Sequence, residues 1–172
     1  PPATQTPHPE AETVPPSIVS IVSFVSLQAI IAFVSLQSGR NEIWVSNSDG
    51  TGQRRLTLFD GPAVNEPRWS PNGEQICFKC PLEANDDMCV IGSQGGAWQN
   101  LTKHPATDRW GSWSRDGQWI YFQSNRSGDL QIWKVPAAGG EAIRVTKKGG
   151  FFAIESPDAE TLFFSKSEGD RH

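Results

Sequence analysis

From about residue 29 onward, apolar and polar positions alternate over short stretches, and the alternation starts again every few dozen residues. An apolar pair two residues apart recurs at Ile31/Phe33, Ile76/Phe78, Ile120/Phe122 and Leu162/Phe164, with its phenylalanines stepping by 45, 44 and 42. A period of two places both members on one face of a strand. Ile43-Trp44-Val45, Met88-Cys89-Val90 and Ile132-Trp133-Lys134 step by 45 and 44, as do Leu56-Thr57, Leu101-Thr102 and Val145-Thr146. The turns Ser70-Pro71-Asn72-Gly73, Ser114-Arg115-Asp116-Gly117 and Ser156-Pro157-Asp158-Ala159 step by 44 and 42. Four landmarks sharing one period define an internal repeat.

Each repeat predicts four short strands, a to d. Strand a ends at Trp69-Ser70 or Trp113-Ser114; the turn follows, and strand b carries Ile120 and Phe122 on one face, Trp119 and Tyr121 on the other. Strand c leads to a glycine turn at Asp49-Gly50, Gly95-Gly96 or Gly139-Gly140, and strand d carries the Leu-Thr. In the turns, Asn or Asp binds nearby backbone N–H groups and Gly accepts positive φ. Strands apolar on both faces need a neighbouring sheet on each side. A four-stranded unit of this kind is a β-propeller blade, which only stacking can shield. The predicted fold is therefore all-β, a partial propeller of about three and a half four-stranded antiparallel blades at roughly 17–59, 65–103, 109–147 and, incomplete, 151–166. The repeat places Trp69, Ser70, Asn72, Gly73, Phe78, Trp113, Ser114, Asp116, Gly117, Phe122 and Trp133 as structural residues, with Trp69 and Trp113 packing between blades.

The upstream chain differs. Residues 1–16 hold six of the thirteen prolines and read as a disordered tail or linker, with a second short tail at 169–172. Ser17 to Gln37 is uncharged, long enough to raise a membrane span; its repeated Ser and Gln and its β-branching favour strands instead. No Ser-Pro-Asp-Gly turn precedes Ile31, so strand a of the first repeat is either degenerate or supplied by residues 18–26. The chain starts at Pro1 and stops within a repeat, which reads as a processed product or a fragment.

Seven Trp and nine Phe against one Tyr and one Met suit strands, and sixteen Gly suit many turns. A net charge of −4 with scattered Lys and Arg gives no phosphate-binding face, so no nucleic-acid partner is expected. Cys77 and Cys80 form a C-x-x-C with Cys89 nine residues on; strand geometry points the first two to opposite faces, which favours buried or half-buried free thiols over a zinc site and leaves the redox state of the three cysteines open.

Catalytic patterns are missing from the sequence. His8 and His172 lie in the tails, His104 reads as a solvated loop histidine, and no G-x-S-x-G elbow occurs. Asp86-Asp87 and Asp158/Glu160 fall in predicted hairpin loops and read as solvated; a Ca²⁺ site at Asn85-Asp86-Asp87 would need more oxygen ligands. No enzyme activity, metal or cofactor is expected.

Glu66-Pro67-Arg68-Trp69-Ser70-Pro71-Asn72-Gly73 with Ile76-Cys77-Phe78, and Trp113-Ser114-Arg115-Asp116-Gly117 running on to Ile120-Tyr121-Phe122 and Gln131-Ile132-Trp133, resemble the TolB-like propeller repeat over residues 29–168. Ala159 replaces the turn glycine and Glu155 replaces the tryptophan of the earlier copies. Lys134–Ala142 and Gly149–Asp158 are most similar to propellers linked to bacterial membrane-tethered regulators. The resemblance implies six or seven blades in an intact ring. This chain would then belong to a longer protein or complete a ring with another copy, and open blade faces would favour self-association. It also implies a protein- or ligand-binding scaffold, periplasmic or otherwise outside the cytoplasm, without direct membrane contact. The alternatives are the accessory propeller of a prolyl-oligopeptidase-like serine peptidase and the sensor part of a membrane-bound transcription regulator. Strand a lines the channel of such propellers, which nominates Asn65, Glu66, Arg68, Asp108, Arg109, Trp110, Ser112 and Phe152 as channel or rim residues, with Trp110 either filling the channel wall or anchoring a protein or peptide.

Overall fold

The computed structural model describes residues 30–59, 61, 63–82 and 85–166, all strand, turn or loop. The expected tails at 1–16 and 169–172, and the expected strands across 17–29, lie outside the described residues. Among the described residues, thirteen strands form four antiparallel sheets. The first contains β1 (Ile30–Ser35), β2 (Glu42–Asn47) and β3 (Arg54–Arg55), which are strands b, c and d of a blade, with no a strand among the described residues. Two complete blades follow. One runs β4 (Asn65–Trp69), β5 (Gln75–Leu82), β6 (Asn85–Gly92) and β7 (Gln99–Asn100). The other runs β8 (Asp108–Trp113), β9 (Trp119–Ser127), β10 (Asp129–Pro136) and β11 (Ile143–Arg144). β12 (Ala153–Glu155) and β13 (Leu162–Phe164) begin a fourth.

Alternate residues of each central strand enter different interfaces, as a two-faced sheet requires. On β5, Ile76, Phe78 and Cys80 pack toward the first sheet with Ala32, Val34, Ile43 and Trp69, while Cys77 packs the other way with Met88, Trp113, Ile120 and Phe122. Tyr121 and Ile132 then meet Ala153 and Leu162 of the last hairpin. Trp69 and Trp113 thus lie between blades, and each large side chain buried there stabilises the stack by about 1.5–3 kcal/mol.

One hydrogen-bonded turn closes every a–b connection. The Ser70 hydroxyl donates to Asn72 at 2.7 Å, and the same side chains accept the Gln75 and Glu74 backbone N–H groups at 2.9 and 3.1 Å. Ser114/Asp116 and Ser156/Asp158 repeat all three bonds. Accepting these N–H and hydroxyl donors holds the Asp116 and Asp158 carboxyls below the ordinary carboxylate range.

A second recurring device ties strand c to the end of strand d. Thr57, Thr102 and Thr146 donate to Glu42, Asp87 and Gln131, and their hydroxyls accept the backbone N–H of Ile43, Met88 and Ile132. The Leu-Thr pairs therefore lie just past the two-residue d strands rather than within them, because the Leu56, Leu101 and Val145 N–H groups reach back to the strand c carbonyls of Ile43, Met88 and Ile132 as the chain leaves the sheet.

Two expectations about cysteines and acids are corrected. Cys80 and Cys89 form a disulfide across β5 and β6, leaving Cys77 as the free, buried thiol; Cys80 sits opposite Asp87 and Cys89 opposite Phe78, a diagonal pair on one face. Asp86 and Asp87 are not loop residues but part of β6. The Asp87 carboxylate is buried and fully engaged by Asn85, Asn100 and Thr102, while Asp86 meets Lys79 and Arg109, so neither oxygen set is arranged around a cation. His104 is half-buried, its Nδ1 accepting the Ala106 N–H at 3.0 Å and its carbonyl accepting from Asn85.

Candidate functional site

The inner strands β4 and β8 carry every nominated residue but Phe152, which lies just before β12, and β4 and β8 share a defect. Pairing with strand b slips between Asn65 and Arg68 on β4 and between Arg109 and Ser112 on β8. Such a bulge leaves one residue over, and it takes left-handed backbone at Glu66 (φ 59°) and Trp110 (φ 58°). A bulky side chain in that conformation costs energy that the surroundings must offset. Here the offset is specific: the Trp110 backbone N–H donates to Glu66 Oε2 at 2.8 Å, so one bulge is fastened to the other across two blades.

The bulge turns the Trp110 ring outward, 44% exposed, although both strand neighbours of the motif, Gly111 and Ser112, are buried. Beside it the Arg109 guanidinium meets Asp86 at 2.7 Å and stays half exposed. Glu66, Arg68, Asn65 and Phe152 are half-buried. Asn65 donates to the Ala63 carbonyl and accepts from Asn41; the Arg68 carbonyl accepts the Trp113 indole N–H at 3.0 Å.

Two nominated residues belong to the scaffold. Ser112 is buried and donates to the Ala153 carbonyl of the next inner strand at 2.5 Å. Asp108 is fully buried, its Oδ2 2.7 Å from Arg126 Nη2. Burial pushes the Asp108 carboxyl above its ordinary range, against the opposing pull of the Ser124 hydroxyl and the Arg126 guanidinium. Arg126 also stacks over Phe122 and Trp133, its guanidinium carbon 5.0 and 5.1 Å from the ring centroids. Glu155, a departure from the repeat that sequence reasoning gives no role, joins the last two sheets: it accepts the Tyr121 hydroxyl at 2.6 Å and the Arg115 backbone N–H at 2.7 Å. Its position in place of an inter-blade tryptophan was the available signal.

This geometry has relatives. The protein Atu1656 of Agrobacterium fabrum is 28% identical over 137 residues, covering 78% of this chain and 46% of its own. The Tol-Pal system protein TolB of a Polaromonas species is 38% identical over 48 residues, 28% of this chain and 11% of its own. A solved structure of a TolB-like protein from Agrobacterium tumefaciens superposes with a TM-score of 0.73 at 26% identity, over 82% of this chain and 51% of its own. The chain thus spans about half the length of Atu1656 and of that solved structure. The family profile described as TolB beta propeller domain matches residues 17–172, and with the stacked four-stranded sheets and their shared turns of Ser followed two residues later by Asn or Asp it makes this chain a member of the TolB beta propeller domain family.

Proposed function

We propose that this chain is a non-catalytic binding scaffold that takes a protein or peptide partner on the side chains of its inner strands, with Trp110 as the aromatic anchor. One observation carries this reading: a large, half-exposed indole held in left-handed backbone by a hydrogen bond from its own N–H to Glu66. Strain retained at an exposed aromatic is a feature of ligand-contact positions, and exposed Trp beside Arg is the composition of binding hot spots. The polar groups that could serve catalysis are instead committed to the scaffold, as with Asp87, Asp108, His104 and Glu155.

The scaffold acts outside the cytoplasm, in keeping with the Tol-Pal relative and with the Cys80–Cys89 disulfide, which persists in oxidising compartments. Capture of partners from a cell-envelope extract, followed by affinity measurement with Trp110→Ala, tests the proposal. The variant is expected to lose most of the affinity at an unchanged melting temperature. A large stability loss with affinity intact would reject Trp110 as an anchor.

A further inference from the structure

Trp69 and Trp113 close β4 and β8 at equivalent positions, yet only one indole is satisfied. The Trp113 N–H crosses to the Arg68 carbonyl on the preceding inner strand, at the residue opposite Cys77 of β5. Moved back by one repeat, the same geometry asks for a carbonyl opposite Ala32, on a strand beside β1. Among the described residues β1 pairs with β2 alone. Trp69 Nε1 is buried and has no hydrogen-bond partner among the described residues. Trp44 and Trp133 are also unpartnered, but they occupy one shared position on the c strands, so that feature belongs to the repeat itself. The a-strand indole is different: it is paired where an inner strand precedes it and unpaired where none is described.

We propose that the edge of β1 facing away from β2, unpaired among the described residues, receives an extended peptide strand from a separate polypeptide, added antiparallel to β1, whose carbonyl opposite Ala32 accepts the Trp69 indole N–H. Main-chain hydrogen bonds along a free sheet edge supply such recognition. The slot continues the interface between the first two blades, where Ala32, Val34 and Trp69 already share one apolar cluster, so the incoming strand carries apolar side chains at alternate positions. A separate polypeptide is favoured by turn chemistry. Each of the other three inner strands is folded back by a Ser and an Asn or Asp two residues later, whereas one repeat upstream of Ser70 the sequence reads Val25-Ser26-Leu27-Gln28. Val25 has no hydroxyl and Leu27 no acceptor for the three turn bonds.

The test uses the full 172-residue chain, ¹⁵N-labelled, and an unlabelled synthetic peptide with the sequence of residues 63–70, which fills the equivalent slot in the second blade. The β1 amides facing away from β2 are expected to exchange rapidly in the chain alone and to become protected with peptide, while the Trp69 indole resonance shifts. Trp69→Phe keeps the ring and removes the donor; it is expected to weaken the peptide about five- to tenfold. If those amides are already protected without peptide, the slot is filled by this chain's own upstream residues and the proposal is wrong. Peptide binding that leaves the Trp69 indole resonance unmoved overturns it equally.

Discussion

The Arg126 guanidinium meets the Asp108 carboxylate in the interior of the third sheet at 2.7 Å, and the preceding blade places Val64 and Leu82 at the same two positions. Val64 is fully buried, and Leu82 packs on the same cluster. One repeat therefore fills this place with charge and its neighbour with hydrocarbon, which shows that the blade tolerates either matched pair.

A mismatched pair should not be tolerated. Removing one partner of a buried ion pair typically costs about 3–5 kcal/mol, whereas replacing both with apolar residues is often neutral. Arg126→Leu should therefore lower stability by that amount in urea unfolding. The double change to D108V and R126L, which copies the second blade, should return to within about 1 kcal/mol of the parent. Additive losses in the double variant would refute the equivalence of the two pairs.

Acid stability should report the turns. The Asp116 and Asp158 carboxyls have folded-state pKa values below the ordinary one, so they add stability above the ordinary value, about 3.9, and that contribution disappears as pH falls through the lowered folded values. Asn72 does the same work in the second blade without titrating. Exchanging both aspartates for asparagine should flatten the acid limb of a melting-temperature profile while leaving neutral stability nearly unchanged. An unaltered acid limb would remove these turns from the pH response.

Thiol counting separates the three cysteines. Burial pushes the Cys77 thiol up to about 12, so the native protein should resist alkylation. Denatured without reductant it should take one label, and after reduction three. Replacing Cys80 and Cys89 together by serine should cost about 2–4 kcal/mol. Three labels in the unreduced, denatured chain would mean that the disulfide does not form.

Ala159 stands at φ 62°, where the matching turn residues Gly73 and Gly117 stand at 71° and 70°. A Cβ in that region is strained, so Ala159→Gly should raise stability by about 1 kcal/mol despite the greater freedom of glycine in the unfolded chain. A drop in melting temperature would show that the last turn is held by something other than its backbone preference.

Open faces should show in solution mass. Ile154 and Phe163 are cross-strand partners on the last hairpin, 44% and 57% exposed, with no further sheet over them among the described residues. Concentration-dependent association is expected in sedimentation, weakened when both are changed to threonine. A monomer at all concentrations would contradict it.

Strand positions, the Ser-x-Asp turns, the two-faced sheets and the blade repeat could all be read from residue spacing. Each depends on neighbours a few positions away, whose side-chain direction alternates by geometry alone. Only the tertiary structure decided who meets whom across 9 to 44 residues: Cys80 with Cys89, Asp108 with Arg126, and Glu66 with the Trp110 backbone. Glu42, Asp87 and Gln131 make the point most clearly, since three different residue types accept the same threonine hydroxyl. The repeat conserves the place of an oxygen atom there rather than a letter, and that place exists only once the sheet has formed.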